Sequence, residues 1–273
     1  MGIKFLNITQ SPLFWKLHIG AGYEWKELVE EITLIRKIGG LENLAAVPGS
    51  VGGAAYQNVG AYGVEFKDFC DYVEIWDCEK GEMKRFECLQ CQFRYRDSVF
   101  RHKKQGSFVI IAVGLKIPKK WTPVLTYGAL KDILSQNIIT PTEVYMKIIE
   151  FRMTRLPDPK KVGNAGSFFK NPVISESHLK KLLAIYPKLL FHPWEGRFKL
   201  FAGWLIDAIG LKNYCVGDAG LFEKNALVIV NRGNATGADV IRLVEFIQEN
   251  VFRSFNIHLE PEVTMVGAQG KIN

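Results

Sequence analysis

Apolar residues occupy every second position from Val109 to Ile117, and this period of two predicts a half-buried β-strand from Phe108 to Ile117. Strands are also expected over the apolar segments from Leu13 to Ile19 and from Ala226 to Asn231. The segments from Tyr72 to Asp77 and from Glu82 to Phe86 flank Gly81, which predicts a hairpin. A further strand is expected near the end of the chain, from Ile257 to Val263.

Elsewhere the apolar residues recur at helical spacing. The first predicted helix ends before Gly39, and its apolar residues are Trp25, Leu28, Val29, Ile32 and Ile35. Thr140 and Glu143 form a capping box with a proline between them, which predicts a helix whose buried face carries Val144, Ile148 and Phe151. Further helices are expected near residues 179–186, 202–209 and 240–251. Helices and strands therefore mix as in an α+β protein.

The chain has 273 residues, 48% of them hydrophobic, and this is enough to bury the cores of one or two domains. The segment from Leu156 to Pro159 holds two prolines and breaks the helical pattern before it. We place a domain boundary there. The prediction is a first domain at residues 1–155, completed by residues 258–273, and a second domain at residues 156–257.

The segment from Gly163 to Pro172 combines glycines, amides, a hydroxyl and a lysine around a Phe-Phe pair. Glycine lets backbone approach a ligand closely, and the hydroxyl of Ser167 is a candidate proton donor. The alternative is an ordinary turn that leads into a buried Phe-Phe anchor. The residues by themselves leave both interpretations open.

A second glycine-rich segment, from Gly40 to Gly63, keeps apolar and amide residues between its glycines, unlike a flexible linker. Closely spaced backbone N–H groups favour a loop that faces a cofactor. The earlier turn from Gly20 to Gly22 has the order strand, turn, helix, but Trp25 replaces the third glycine of a dinucleotide-binding turn, which favours simple packing of the strand on the helix.

Two charged positions remain ambiguous from the residues alone. Arg96 is able to grip a carboxylate with its guanidinium or to pair with Asp97 at the surface, and the surface pair is the simpler expectation. Glu260 and Glu262 flank a proline, which is typical of carboxylates that face solvent.

Charge and cysteine content narrow the class of protein. The net charge of +7 is spread along the chain, which favours an anionic small molecule over nucleic acid, for which no binding motif is present. Five scattered cysteines indicate a reducing compartment, and the lone pair Cys88 and Cys91 does not predict a metal site. No apolar run reaches the ~20 residues of a membrane span, so we expect a cytoplasmic protein without membrane insertion. We also expect a monomer.

Six segments in order resemble the UDP-N-acetylenolpyruvoylglucosamine reductase family, in the form that carries a tyrosine loop. They are GLENLAAVPGSVGGAAYQNVGAYGVE at 40–65, FRYRDSVF at 93–100, LTYGAL at 125–130, LPDPKKVGNAGSFFKNP at 156–172, AGWLID at 202–207 and LEPEV at 259–263. Together they extend over nearly the whole chain.

The resemblance implies an FAD-binding domain of the vanillyl-alcohol-oxidase (PCMH) type followed by a substrate-binding α+β domain. It also implies the reaction: FAD reduced by NADPH passes a hydride to UDP-N-acetylglucosamine enolpyruvate and gives UDP-N-acetylmuramate, a precursor of peptidoglycan. The UDP-sugar is then the small-molecule partner.

By the matching motifs, the resemblance implies Ser167 as the proton donor, with Arg96 and Glu262 flanking the substrate carboxylate. The residues it implies at the flavin are Gly49, Ser50, Gly52, Gly53 and Gly60. Those it implies around the nucleotide sugar are Tyr62, Tyr127, Arg155, Lys170 and Asn171. Arg155 stands where the family often has lysine, which keeps the positive charge but changes its geometry.

One part of the family pattern has no counterpart in the sequence. The family carries a Gly-x-Gly-Ser-Asn loop that cradles the FAD diphosphate, and the segment from Met1 to Trp15 does not resemble it. We therefore expect the FAD-binding domain to be N-terminally incomplete. The alternative function is a truncated, redox-inactive member of the family that binds only the UDP-sugar.

Overall fold

The computed structural model describes residues 3–103, 106–126, 130 and 139–267, and the backbone of residues 270–271. The chain divides into two compact units, Met1–Arg152 and Met153–Asn273. Each unit has a hydrophobic core of its own. The expectation that residues 258–273 complete the first domain stays a prediction.

The first unit is built on an antiparallel sheet of five strands in the order β1-β2-β7-β5-β6. These strands are β1 (Leu6–Gln10), β2 (Phe14–Gly20), β5 (Cys70–Asp77), β6 (Glu82–Glu87) and β7 (Phe108–Pro118). A small separate hairpin consists of β3 (Gly60–Ala61) and β4 (Val64–Glu65). The helices are α1 (Trp25–Glu30), α2 (Val51–Tyr56), α3 (Val99–His102) and α4 (Pro141–Arg155), which ends just past the boundary of the unit.

One face of this sheet forms the core of the first unit because alternate residues of its strands are apolar. Leu17 and Ile19 of β2 and Val113 and Leu115 of β7 are at most 2% exposed. They belong to the same core cluster as Trp25 of α1. The strands predicted from Leu13 to Ile19 and from Phe108 to Ile117 are confirmed, as is the hairpin through Gly81.

The first predicted helix is also confirmed, although it changes character partway. It continues beyond Glu30 as a π-helical turn, Glu31–Ile35. The wider turn rotates the last residue away from the core, and Ile35 is 68% exposed, so its expected place on the buried face is wrong. The capping box before α4 is confirmed, with Glu143 N donating to Thr140 Oγ1 and Thr140 N donating to Glu143 Oε2.

In its described residues, the second unit combines two small antiparallel sheets, a short hairpin and three α-helices. Its larger sheet has the order β12-β13-β14-β8, formed by β8 (Asn164–Ser167), β12 (Cys215–Val216), β13 (Ala219–Phe222) and β14 (Asn225–Asn231). Its smaller sheet consists of β9 (Val173–Ile174), β10 (Phe191–Trp194) and β11 (Arg197–Leu200). The other elements are α5 (Glu176–Ile185), α6 (Ala202–Ala208), α7 (Gly237–Phe255) and the hairpin of β15 (Val266–Gly267) and β16 (Gly270–Lys271).

The three helices of the second unit bury the apolar stripes that predicted them. Leu182 of α5, Leu205 of α6 and Leu243 and Ile247 of α7 all lie in one core. The expected α+β class is therefore confirmed in its elements. None of the helices in the described part of the chain combines the length and apolar character that a membrane span requires.

Candidate active site

Ser167 ends strand β8, where its side chain is exposed. The strand pairs with β14, with Ser167 opposite Val228. Asn164 shapes the turn before it, since its Oδ1 accepts from Gly166 N at 3.0 Å while its Nδ2 donates to two carbonyl groups. Gly166 has φ +70°, and no atom lies within 4 Å of the position a Cβ would occupy. Among the described residues, no hydrogen-bond partner is recorded for the Ser167 hydroxyl, which leaves it free to act on a ligand.

The two aromatic residues after Ser167 anchor it to the core. Phe168 and Phe169 are 3% and 2% exposed, and their rings meet edge to face with centroids 5.3 Å apart. The Phe-Phe pair is the buried anchor that one alternative predicted, and the serine before it faces outward, so the role of Ser167 in a site stays a prediction. A rigid base of this kind positions an exposed hydroxyl well.

Glu262 lies beside the same segment. Its backbone N donates to Phe168 O at 2.8 Å, and Lys170 N donates to Glu260 O at 2.8 Å. The predicted strand from Ile257 to Val263 is wrong, because only an isolated bridge between Phe169 and Pro261 forms there. Proline lacks the N–H that a continuous ladder requires. The structure nevertheless brings together the backbones that carry Ser167 and Glu262, which are distant in sequence.

The three remaining candidates of the second unit differ in their surroundings. Lys170 Nζ pairs with Glu260 Oε1 at 2.5 Å. Asn171 Oδ1 accepts from Ala202 N at 3.0 Å, so its amide holds the start of α6. Arg155 is exposed at the last residue of α4. Lys170 and Arg155 are thus the two cations among these candidates, and Asn171 has a structural role at least.

Arg96 lies in the first unit, in a tight turn closed by backbone hydrogen bonds between Arg94 and Asp97. It has φ +54°, a left-handed conformation that costs a side-chain-bearing residue of order 1 kcal/mol and that clusters at functional sites. Its Nη1 lies 3.0 Å from the position of a Cβ on Gly60, so the guanidinium rests against that glycine. Asp97 is bound by Arg101 and His102.

Sequence reasoning missed the side chain that supports this turn. Asn58 is fully buried, and its Nδ2 donates to Arg94 O at 2.8 Å and to Glu65 Oε2 at 2.9 Å. Its Oδ1 accepts from Lys67 N at 2.9 Å. Asn58 therefore ties the Arg96 turn to the glycine-rich segment. The feature of the sequence that could have identified Asn58 is its polar amide within the small and apolar residues of the segment from Gly40 to Gly63.

The segment from Gly40 to Gly63 is more structured than the expected loop, because it contains α2. Ser50 caps this helix, with its Oγ accepting from Gly53 N at 3.2 Å. Gly49 has φ +109° with open space around it, and Gly53 is exposed. Gly52 and Gly60, in contrast, pack against the chain's own atoms at 2.9 Å from a hypothetical Cβ.

The amides of the earlier turn are also in use within the chain. Gly20 N, Ala21 N and Gly22 N donate to the carbonyl groups of Phe5, Ile111 and Ile3. This confirms the simple packing of strand on helix over a phosphate-binding turn.

Tyr62 has φ +50°, and its ring meets Phe151 edge to face at 5.9 Å. Its carbonyl accepts from Asn43 Nδ2 at 2.8 Å, and the same amide donates to Val124 O at 2.9 Å. Asn43 Oδ1 is buried without a partner among the described residues. The predicted substrate residue Tyr127 lies outside the described residues.

Two observations bear on whether these residues fit FAD. The backbone is uncovered at Gly49 and Gly53, next to a helix whose first turn has its hydroxyl cap in place. Asn43 offers a buried acceptor that the described residues leave unsatisfied. Gly49, Ser50 and Gly53 are therefore the residues that would contact a cofactor lying against this backbone.

Two family models match this chain. Residues 6–87 match an FAD binding domain, and residues 158–266 match the C-terminal domain of UDP-N-acetylenolpyruvoylglucosamine reductase. The protein of that name from Escherichia coli K12 is 46% identical over 272 residues, which are 99% of this chain and 79% of the relative. The chain belongs to the UDP-N-acetylenolpyruvoylglucosamine reductase family.

Other members of the reductase family agree with this assignment. The Photorhabdus laumondii reductase is 45% identical over 274 residues, 100% of this chain and 79% of the relative. The crystal structure of UDP-N-acetylenolpyruvylglucosamine reductase (MurB) from Thermus caldophilus matches with a TM-score of 0.61 at 29% identity. That match covers 90% of this chain and 70% of the other. The resemblance seen in the six motifs is confirmed, as is the FAD-binding domain.

Proposed function

We propose that this protein reduces UDP-N-acetylglucosamine enolpyruvate to UDP-N-acetylmuramate at the expense of NADPH, as a step of peptidoglycan precursor synthesis. The Escherichia coli and Photorhabdus laumondii relatives are named as reductases of the enolpyruvyl sugar, and the identity extends over nearly the whole chain. The single observation that supports the chemistry is the position of the Ser167 hydroxyl. It is exposed next to the buried Phe168 and Phe169, and the backbone of Glu262 is hydrogen-bonded to Phe168.

FAD held at Gly49, Ser50 and Gly53 and reduced by NADPH would supply a hydride to one carbon of the enolpyruvyl double bond. The protein must then give a proton to the neighbouring carbon, and Ser167 is proposed as its donor. A serine hydroxyl is a weak acid, so this step requires a strongly basic, enolate-like substrate carbon and exclusion of water.

Arg96 is proposed to hold the substrate carboxylate, whose charge grows as the hydride adds. A planar guanidinium binds a carboxylate through two parallel hydrogen bonds, and in a dry site it stabilises the developing negative charge. The strained turn and the support from Asn58 favour this role, since they fix the arginine before substrate arrives. Glu262 is proposed beside the same substrate group.

The remaining candidates are proposed as binding residues. Lys170 and Arg155 supply positive charge for the diphosphate of the UDP-sugar, and Tyr62, Tyr127 and Asn171 are proposed around its sugar. Gly49, Ser50, Gly52, Gly53 and Gly60 are proposed as the flavin segment, with Gly52 and Gly60 acting through the packing that shapes it.

The decisive experiment separates the two half-reactions. Purified protein with FAD is mixed first with NADPH, which bleaches the flavin absorbance band, and then with the enolpyruvyl sugar, which restores it. We expect Ser167→Ala to keep flavin reduction and to lose roughly 10²–10⁴-fold in turnover of the sugar. Ser254→Ala, an exposed serine on α7, is the matched control and should change neither step.

Unchanged turnover in Ser167→Ala would reject the proton-donor role while leaving the overall reaction in place. Binding of the UDP-sugar in calorimetry without any oxidation of NADPH would instead support the redox-inactive alternative. The two failures are therefore distinguishable.

The proposal includes a monomer that acts in the cytoplasm. All five cysteines are free, which is typical of a reducing compartment. Light scattering on the peak that elutes from a size-exclusion column measures the oligomeric state directly. The mass of a dimer would contradict the proposed monomer.

A further inference from the structure

Four segments of the first unit meet at one end of its five-stranded sheet and line an open groove. They are the start of β2, the residues that follow the π-helical turn, the end of β7 with the residues after it, and the first residue of α4. The groove has a volume of about 350 Å³. None of the residues that line it belongs to the candidate active site described above.

The wall of the groove at Trp121 is held rigidly. The indole Nε1 donates to Glu42 Oε1 at 2.6 Å, and Glu42 is 2% exposed, so a buried carboxyl group fixes the ring. The ring also lies against Gly39, where a Cβ would clash with it. Trp15 and Pro118 add further apolar surface to the groove. A tryptophan that is partly buried in this way combines an apolar ring with a satisfied polar N–H.

The charged residues that line the groove are all cations, and no carboxylate is among its described lining residues. Arg36 is paired with Glu31 outside the groove, at 2.9 Å. Lys37 and Lys119 line the groove, and Lys120 follows them on the exposed surface. Within the described part of the chain, these three lysines form no ion pair, so their positive charge is available to an anionic partner.

Lys37 occupies a position that favours glycine. It follows the π-helical turn in the left-handed conformation, with φ +58°, and the next residue closes the helix end because Ile38 N donates to Ile32 O at 3.0 Å. Glycine is the usual residue at such a helix end because it has no Cβ. The lysine therefore costs backbone free energy at this position and adds a cation to the groove.

Two aliphatic side chains flank the groove and are strongly exposed. Leu13, in the turn between β1 and β2, is 69% exposed, and Ile35, at the end of the π-helical turn, is 68% exposed. Leu13 O accepts from Lys119 N at 2.9 Å, and Ile35 directly precedes Arg36, so both lie beside residues of the groove. Neither lines the groove itself. A small anion in the groove would leave both uncovered, whereas a lipid surface would cover them together with the cations.

We propose that this end of the first unit binds the surface of a bilayer that contains anionic phospholipids. We call it the basic end, and it consists of Leu13, Ile35, Lys37, Lys119, Lys120 and Trp121. The lysines attract the phosphate headgroups, and the two aliphatic side chains enter the boundary between headgroups and acyl chains. Tryptophan is enriched at the same boundary. The protein lies on the bilayer and does not cross it, and this inference does not depend on the reaction proposed above.

The test is co-sedimentation of the full chain with lipid vesicles. We expect the protein to sediment with vesicles of equal parts phosphatidylglycerol and phosphatidylethanolamine and to stay in solution with vesicles of phosphatidylcholine alone. Added salt should weaken the binding, because the screening length of exposed charges is only about 10 Å in 0.1 M salt. Equal sedimentation with both kinds of vesicle, or with neither, would overturn the proposal.

Charge reversals locate the electrostatic contact. The double variant Lys37→Glu with Lys120→Glu should bind the anionic vesicles at least ~25-fold more weakly, at roughly fivefold for each positive charge lost. The matched control is Lys181→Glu with Lys188→Glu, which changes the net charge equally at two exposed lysines of the second unit. We expect the control to lose less than about threefold, since charges far from the lipid are screened. Equal losses in the two double variants would overturn the proposal.

Substitution of the aliphatic residues tests the apolar contact. Leu13→Ser with Ile35→Ser should weaken binding to the anionic vesicles about tenfold, because the area that these side chains bury in the bilayer is lost. Leu89→Ser is the control, since Leu89 is 92% exposed on a separate turn after β6, and it should leave binding unchanged. Unchanged binding in the Leu13 and Ile35 double variant would contradict the proposal.

Two other partners of the basic end would give different results. An oligonucleotide that displaces the protein from the vesicles, and that binds more weakly to Lys37→Glu with Lys120→Glu, would assign this end to nucleic acid. A dimer mass in light scattering that reverts to a monomer in Leu13→Ser with Ile35→Ser would assign it to a second copy of the chain. Either result would overturn the proposal, and sedimentation with the anionic vesicles in the presence of excess oligonucleotide would support it.

Discussion

The two glycine-rich segments of this chain look alike in sequence and differ in what fills the space beside their glycines. In the segment from Gly40 to Gly63, Gly52 and Gly60 have protein atoms at 2.9 Å from the position of a Cβ. In the segment from Gly163 to Pro172, Gly166 has none within 4 Å, and the next residue, Ser167, is exposed.

The difference shows that a glycine in a motif indicates a position where a side chain is unfavourable. It does not show whether protein atoms or a ligand occupy the space beside it. The first segment is largely a scaffold: its glycines let α2 and the small β3–β4 hairpin pack closely, and Gly60 gives the Arg96 guanidinium its place. In the second segment, which we call the edge segment, Ser167 ends a strand and its hydroxyl is exposed. Substitutions that add one methyl group test this contrast directly.

The largest effect is expected at Gly60. A methyl group there would lie 2.9 Å from Glu65 Cγ, 3.0 Å from Arg96 Nη1 and 3.1 Å from Val64 O. Because the backbone oxygen cannot move freely, Gly60→Ala should lower the free energy of unfolding by about 3 kcal/mol. Urea denaturation followed by circular dichroism measures it.

Gly166→Ala is the matched substitution in the other segment. It meets open space, but φ +70° makes a side chain there cost ~1–2 kcal/mol. A loss at Gly166 equal to or greater than the loss at Gly60 would contradict the contrast between scaffold and edge.

A neighbouring pair inside α2 gives the next largest effect. A methyl group on Gly52 would lie 2.9 Å from Ala21 Cβ and 3.3 Å from Ala21 O, so Gly52→Ala should cost about 2 kcal/mol. Gly53 is exposed, with Ser50 Oγ at 3.5 Å as its nearest atom. Gly53→Ala should therefore stabilise the helix by ~0.5–1 kcal/mol. Thermal unfolding of both variants distinguishes them, and equal shifts would count against the packing argument.

The sequence predicted those features that depend on local periodicity. Strands β2 and β7, the hairpin through Gly81 and the long helices α4 and α7 follow from the spacing of their apolar residues and, for α4, from its capping box. The strand predicted from Ile257 to Val263 failed because alternation says nothing about whether a partner strand is present, and Pro261 allows only one bridge.

The candidate site was less accessible to sequence reasoning because its supports join distant residues. The side chain of Asn58 donates a hydrogen bond to Arg94 O, 36 residues further along the chain. The side chain of Asn43 donates to both Tyr62 O and Val124 O. Neither amide belongs to a pattern of spacing. The family resemblance supplied Ser167, Arg96 and Glu262 as candidates, whereas the hydrogen bonds of the buried amides that hold the turns are a property of the folded chain.

The stability of the protein should depend on pH through Glu42, which lies near the start of the segment from Gly40 to Gly63. Glu42 is 2% exposed and accepts hydrogen bonds from Gly40 N at 2.5 Å and from Trp121 Nε1 at 2.6 Å. Burial raises the pKa of its carboxyl above 4.5, and those hydrogen bonds oppose the shift without cancelling it. A raised folded pKa means that its contribution to stability is complete below the unfolded pKa and is lost as the pH rises through the folded pKa.

Glu42→Gln removes this titration and leaves one of the two N–H donors without its oxygen. At about pH 4 we expect a loss of ~1.5 kcal/mol in the free energy of unfolding, and a smaller loss at about pH 8. Urea midpoints across this range measure the difference. A loss that grows as the pH rises would show that the shift has the opposite sign.

The smallest effect compares one serine from each segment. Ser50 Oγ accepts from Gly53 N and so caps α2, and Ser50→Ala should cost about 1 kcal/mol of stability. No partner is recorded for the Ser167 hydroxyl among the described residues, so Ser167→Ala should change stability by less than ~0.5 kcal/mol. Thermal unfolding of the two variants side by side measures this. If Ser167→Ala destabilised as much as Ser50→Ala, its hydroxyl would have a structural partner, and a loss of turnover in that variant would no longer indicate proton donation.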